Sequence, residues 1–145
     1  MKHIKILSQI VAILLLISCD KKTQNNPPVD IRLSNKIEVI DFHSTRRCMT
    51  CNAIESSTIY TLNNYFPEEM KSGTISFRTI NVDEEENYKI AEKYEASGTS
   101  LFLNVVIDGK ETQTNLTDFA FFYAKDQEVF SEKLMEMLKE YLSNM

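Results

Sequence analysis

The chain has 145 residues, 16 of them Lys or Arg and 21 Asp or Glu, with a formal net charge of −5 and 43% hydrophobic residues. This composition suits one small domain with a core drawn from about a hundred residues. The acidic balance argues against nucleic acid and against nonspecific binding to anionic lipid.

The N-terminus has the pattern of an export signal. Lys2 and Lys5 precede an apolar run over residues 10–17, which is too short and wrongly flanked for a spanning helix. Leu16-Ile17-Ser18-Cys19 resembles the lipobox of bacterial lipoproteins, in which the cysteine is acylated and becomes the first mature residue. The alternatives are an uncleaved anchor helix and an ordinary signal. The resemblance predicts a signal peptide over residues 1–18 and an exported, membrane-anchored lipoprotein facing the periplasm or the cell surface.

Residues 19–35 are polar and include the double proline Pro27-Pro28. Such a segment buries too little apolar surface to repay the entropy of ordering. We therefore expect a flexible tether from a lipidated, palmitate-bearing Cys19, followed by a folded domain over residues 36–145. Removing Lys2 and Lys5 leaves 14 basic against 21 acidic residues, or a net charge of −7 for the mature side chains.

The folded part alternates strand and helix patterns. Residues 36–42 are dense in Ile and Val, which predicts a buried first strand. Over residues 48–66 apolar residues recur at roughly helical spacing before Pro67 ends the segment. The apolar residues of this helix are Cys51, Ile54, Ile59, Leu62 and Phe66.

Gly73 leads into a second strand over residues 74–82. The acidic run 83–86 then predicts the start of a helix that reaches Tyr94, with its negative charges at the favourable end. A solvated helix start explains this run better than a metal site. A third strand follows over residues 101–107, and Asp108-Gly109 predicts a tight hairpin into a returning strand over residues 110–114.

The last segment, residues 118–142, is predicted to be helical with a break near Asp126. Its buried stripe would comprise Phe130, Leu134, Met137, Leu138 and Tyr141. The aromatic residues before it are expected in the core rather than at a cofactor. They are Phe119, Phe121, Phe122 and Tyr123.

Cys48-Met49-Thr50-Cys51 stands where the first strand passes into the first helix. The unpaired N–H groups and positive dipole end of a helix N-terminus favour a thiolate at Cys48. Arg46 and Arg47 act in the same direction and are its nearest counter-ions. With Cys19 acylated and His3 removed with the signal peptide, the mature chain keeps two free Cys and one His, which are too few for a four-ligand zinc site. A disulfide closing so small a loop stabilises little, so redox exchange is the preferred interpretation.

The order β-α-β-α-β-β-α, with the cysteine pair at the first strand-to-helix junction, resembles the thioredoxin fold. The segments that carry this resemblance are Val39-Ile40-Asp41-Phe42, Ile80-Asn81-Val82-Asp83, the run from Tyr94 to Leu101, and Asp108-Gly109-Lys110. The resemblance implies an α/β domain over residues 36–145 with a central mixed sheet flanked by helices. It also implies a thiol-disulfide oxidoreductase without a cofactor. Its partners would be protein thiols or disulfides, and the lipid anchor allows a redox partner in the membrane.

The same resemblance implies roles for individual residues. Cys48 would be the attacking thiolate, Cys51 the resolving thiol, and Asp41 the buried carboxylate that handles the proton of Cys51. Apart from the resemblance, we expect Arg46, Arg47, Thr99 and Ser100 to bind substrate or tune the thiolate, and the two arginines stand where thioredoxins keep an aromatic residue before the first cysteine.

Ser100 occupies the position of the family's cis-proline. A non-proline residue disfavours the cis bond by a few kcal/mol, so a trans bond is expected here. This departure leaves two other functions open. One is metal handling, in which Cys48, Cys51 and His43 bind a soft ion such as Cu(I). The other is a noncatalytic binding module that holds a partner in the groove of the fold.

Overall fold

A computed structural model gives the fold, and it describes residues 35–145. The strands are β1 (Lys36–His43), β2 (Ile75–Asn81), β3 (Ser100–Ile107) and β4 (Lys110–Asn115). The helices are α1 (Met49–Tyr65), α2 (Pro67–Ser72), α3 (Tyr88–Lys93), α4 (Thr117–Tyr123) and α5 (Gln127–Ser143), with a 3-10 turn at Glu85–Asn87. The signal peptide, the acylation of Cys19 and the tether up to residue 34 are predictions that lie outside the described residues.

The four strands form one mixed sheet in the order β2-β1-β3-β4. β1 runs parallel to β2, with Ile37 opposite Ile75, and antiparallel to β3, with Lys36 opposite Val106. β4 pairs antiparallel with β3 across the Asp108-Gly109 turn. Both turn residues have positive φ, 50° and 77°, as a tight hairpin with the twist of its strands requires. The predicted thioredoxin-like α/β fold is confirmed, with its central mixed sheet and flanking helices.

Alternation along β1 divides the core into two clusters on opposite faces of the sheet. Ile37 and Val39 face α1 and α5, where they join a large cluster. Its other fully buried members include Leu62, Leu101, Leu103, Phe130, Leu134 and Leu138. Ile40 and Phe42 face the other way and pack with residues of β2, β3 and α3. The predicted stripe of the last helix is confirmed at Phe130, Leu134 and Leu138, while Met137 and Tyr141 are partly buried.

Three expectations from the sequence were wrong, two about burial and one about where a helix begins. Ile59 is 37% exposed, and α1 instead buries Thr58 and Thr61. Their hydroxyls donate to the carbonyls of Ile54 and Ser57 one turn earlier, at 2.8 and 2.7 Å, so they are buried without an unmet hydrogen bond. Phe121 and Phe122 lie at the surface.

The third wrong expectation concerns the acidic run. α3 begins only at Tyr88, since the preceding residues form a turn and the 3-10 segment. Asp83 accepts a hydrogen bond from the backbone of Thr45, and Glu84 accepts from the side chains of Asn81 and Asn87. These carboxylates are engaged in the turn rather than at the start of a helix.

The break in the last helical segment is confirmed between Tyr123 and Gln127, where Asp126 caps α5 by accepting from the backbone of Val129. Among residues 35–145, no helix combines the length and hydropathy needed to cross a bilayer.

Candidate active site

Cys48 and Cys51 form a disulfide at the N-terminus of α1, with their Cα atoms 5.1 Å apart. Cys48 is the N-cap residue and is exposed, whereas Cys51 lies one turn into the helix and is 7% exposed. The two residues cap each other: the backbone N–H of Cys51 donates to Cys48 Sγ at 3.1 Å, and that of Cys48 donates to Cys51 Sγ at 3.2 Å. These N–H groups and the helix dipole stabilise negative charge on sulfur once the disulfide opens.

Asp41 is a fully buried carboxyl on the same face of the sheet as α1. It follows Ile37 and Val39 in the alternation of β1, and both of those residues belong to the cluster under α1. Burial raises the pKa of Asp41 to about 7, the nearby Arg47 opposes this rise, and Glu55 adds to it. A carboxyl with this pKa exists in both protonation states near neutral pH, which is the property that a proton carrier needs.

Arg47 links Asp41 to α1. Its Nη2 donates to Asp41 Oδ2 at 2.9 Å and its Nη1 donates to Glu55 Oε2 in a second ion pair. The side chain of Arg47 is 20% exposed, so this carboxylate-guanidinium-carboxylate group is largely shielded from water. Arg47 therefore balances two carboxylates, and its charge is not free to act on Cys48 alone.

Glu55 is a site residue that the sequence reasoning missed. It stands four residues after Cys51 and so lies on the same side of α1, one turn further along the helix. It is also the one acidic residue within α1. A single acid one turn after the second cysteine was the signal that could have identified it.

Arg46 differs from its neighbour in exposure and in contacts. It is exposed, and within residues 35–145 it makes no ion pair at salt-bridge distance. From the sequence, both arginines were expected to act as counter-ions of the Cys48 thiolate. Arg46 is thus exposed two residues before Cys48, whereas Arg47 is engaged with Asp41 and Glu55.

The loop between β1 and α1 is held by the far end of β2. The backbone N–H of Thr45 donates to Asp83 Oδ2 at 2.8 Å, and Asn81 Nδ2 donates to Thr45 Oγ1 at 3.1 Å. The hydrogen bonds from Thr45 hold the pKa of Asp83 below its usual range. Asp83 thus anchors the loop that leads to Cys48.

His43 lies at the end of β1, where its ring Nδ1 is 3.1 Å from the backbone oxygen of Ser44. The alternative metal site would require His43 to converge with Cys48 and Cys51. Over residues 35–145, no three His, Cys, Asp or Glu side chains lie close enough together to hold a metal ion. The structure therefore does not bring this proposed ligand set together.

Thr99 and Ser100 are half-buried, and Ser100 begins β3 opposite Phe42 of β1. The peptide bonds throughout residues 35–145 are trans, including the one between Thr99 and Ser100. Ser100 Oγ donates to the carbonyl of Gly98 at 3.2 Å. A Cβ on Gly98 would lie 3.7 Å from Ser44 Oγ, which places this loop beside the one that carries Cys48.

Neither a protein-family model nor a curated protein matches the sequence. Several solved structures are similar to it, among them a malarial protein and two thioredoxins. A malarial protein is 15% identical with a TM-score of 0.47, covering 74% of this chain and 99% of its own. A thioredoxin from Fasciola hepatica is 19% identical with a TM-score of 0.43, covering 73% and 81%. A thioredoxin from Thermus thermophilus is 16% identical with a TM-score of 0.46, covering 71% and 74%.

Proposed function

We propose that the protein is a thiol-disulfide oxidoreductase that exchanges disulfides with partner proteins through Cys48 and Cys51. The observation that carries this proposal is the arrangement of the two sulfurs. The exposed one caps a helix and the buried one lies a turn deeper, on the side of the sheet that holds a buried carboxyl with a pKa of about 7. A purely structural link across so short a loop has no need of such a carboxyl.

The reaction starts from the reduced pair. The Cys48 thiolate attacks one sulfur of a partner disulfide, the partner's S–S bond breaks, and its other sulfur leaves as a thiolate. A mixed disulfide now joins Cys48 to the partner. The exposure of Cys48 makes this attack sterically possible, and the N–H groups at the helix end stabilise the attacking anion.

The second step involves Cys51 and Asp41. The Cys51 thiol gives its proton to the Asp41 carboxylate, and the resulting thiolate attacks Cys48 Sγ. The mixed disulfide breaks, the Cys48–Cys51 bond forms, and the second partner sulfur leaves as a thiolate that takes up the proton. The partner has gained two electrons and the protein has lost them. The reverse sequence oxidises a partner dithiol, and the reduction potential of the pair sets the direction.

Trapping with single-cysteine variants tests this function. Cys48 should be alkylated below the ordinary thiol pKa of about 8.5, with Cys51 comparatively protected. Cys48→Ser should be inactive, and Cys51→Ser should accumulate a mixed disulfide with its partner, visible by non-reducing electrophoresis and mass spectrometry. Equal, slow alkylation of both thiols with no trapped partner would contradict the proposal and support the noncatalytic binding module.

We further propose that the mature protein starts at a lipidated Cys19 and is anchored to a bacterial membrane, facing the periplasm or the cell surface. The support is the sequence alone, since the apolar run and Ser18 lead directly to this cysteine. Labelled palmitate should enter the wild-type protein and a Cys48→Ala control but not Cys19→Ala. A Cys19→Ala protein that stays membrane-bound and fully processed would contradict this assignment.

A further inference from the structure

Arg47 divides its two terminal nitrogens between two carboxylates. Nη2 bonds Asp41 Oδ2, while Nη1 bonds Glu55 Oε2. The other oxygen of the buried acid, Asp41 Oδ1, is inaccessible to solvent and has no hydrogen-bond partner among the described residues. An arginine and a carboxylate left to themselves tend to pair through both nitrogens and both oxygens. Arg47 Nε is also buried without a partner among the described residues, so neither Nε nor Nη1 meets Oδ1 while Glu55 holds the guanidinium in this orientation.

Building on the proposed exchange function, we propose that Glu55 is a positioning residue for proton transfer at Cys51. By holding Nη1, Glu55 keeps the guanidinium of Arg47 in an orientation in which Nη2 alone meets Asp41, and Oδ1 is left free to take the Cys51 proton. The proton leaves Cys51 Sγ for Asp41 Oδ1, and the S–H electron pair stays on sulfur for the attack on the mixed disulfide. The partner disulfide is the oxidant, so no further reactant is required.

Few charged groups surround the Asp41 carboxyl. Its neighbours across the sheet, Thr79 on β2 and Leu101 on β3, do not titrate. His43 shares its side of β1 but has its ring against the backbone of Ser44. The charged groups that act on the carboxyl are Arg47 from the loop and Glu55 from α1, and their effects are opposite in sign.

Removing Glu55 should therefore change the proton carrier in two ways. Arg47 becomes free to engage both oxygens of Asp41, which occupies Oδ1. The same pairing stabilises the carboxylate and makes it a weaker base. Both changes slow the removal of the Cys51 proton, and neither alters the exposed sulfur of Cys48 that makes the first attack.

The experiment uses the full chain and glutathione disulfide as the probe. Reduced wild type, Glu55→Ala, Glu55→Gln and the control Glu132→Ala are mixed with the probe between pH 5 and 9, and the mixed disulfide is followed by rapid quenching and mass spectrometry. Glu132 is an exposed acid on α5, so its variant removes the same charge away from the site.

We expect Glu55→Ala to form the mixed disulfide normally but to resolve it about tenfold more slowly at pH 8, with the acid limb of the rate profile moved to lower pH. Glu55→Gln should recover most of the rate, since its amide oxygen still accepts from Nη1. Glu132→Ala should match wild type. A Glu55→Gln protein as slow as Glu55→Ala would overturn the positioning role, and so would a Glu55→Ala protein that matches wild type.

Titration of the Asp41 carboxyl carbon by NMR in the oxidised protein gives a readout independent of exchange. Its midpoint should fall in Glu55→Ala, and an unchanged midpoint would also overturn the inference. Failure of the proposed function looks different, since wild type would then form no mixed disulfide with the probe while the Asp41 midpoint still responded to Glu55.

Discussion

Asp41 and Phe42 are neighbours on β1, and both are fully buried, but they point to opposite faces of the sheet and meet opposite environments. Phe42 packs against the rings of Tyr94 and Phe102, with centroids 5.3 and 5.7 Å away. Asp41 meets Arg47 and, through it, Glu55. The Phe42 face is an ordinary apolar core, whereas the face that α1 covers buries a carboxyl group.

An ion pair on the surface and the ion pair of Asp41 differ in how far their side chains are exposed to solvent. Lys93 and Glu111 pair at 2.8 Å with both side chains nearly half exposed. Arg47 is shielded and its partner Asp41 is wholly buried. Water and salt screen the first pair, so it contributes little to the free energy of unfolding. Forming the second pair costs desolvation free energy, and removing one of its partners would destabilise the fold further because a buried charge would be left unpaired. This contrast supports the chemical role that we propose for Asp41 rather than a stabilising one.

The largest expected effect is on the aromatic side. Phe42→Ala should lower the free energy of unfolding by about 3–5 kcal/mol, because it removes a buried ring and leaves a cavity between Tyr94 and Phe102. Urea denaturation measures the loss, and Phe122→Ala is the matched control because that ring is 80% exposed. The Cys48 alkylation rate of the folded protein should not change. A loss below about 1 kcal/mol would show that the aromatic cluster is not a main part of the core.

Asp41→Asn should alter the pH dependence of stability. The pKa of Asp41 rises from 3.8 to about 7 on folding because of burial, so the folded chain holds this proton more tightly than the unfolded chain does. The resulting stability is fully present below the unfolded pKa and is lost as pH rises through about 7. Denaturation at pH 4 and pH 8 should show wild type losing up to about 4 kcal/mol relative to the variant. Parallel profiles for the two proteins would contradict a raised pKa.

The smallest expected effect is on the exposed ion pair. Lys93→Met should change the unfolding free energy by less than about 1 kcal/mol, and added salt should reduce even that difference. Denaturation of both proteins at low and high salt measures it. A loss comparable to that of Phe42→Ala would show that this exposed ion pair contributes substantially to stability, contrary to our expectation.

Periodicity and turn chemistry were enough to predict the strands, the hairpin and the break before α5. These features depend on neighbours in sequence, as with Asp108-Gly109, whose positive φ values suit a tight turn. The same reasoning failed for α1. Thr58 and Thr61 are buried because each satisfies its hydroxyl on a carbonyl one turn back, which hydrophobic periodicity does not register.

By itself the sequence determined the thioredoxin-like order of elements and placed the two cysteines at the start of a helix, because secondary structure and helix capping follow local patterns. Only the tertiary structure distinguished Arg46 from Arg47 and linked Glu55 to the Asp41 carboxyl through Arg47. Those outcomes depend on how the loop, the strand and the helix meet in space. The electrostatic environment of a charge is set by burial and by partners distant in sequence, and no local pattern encodes either.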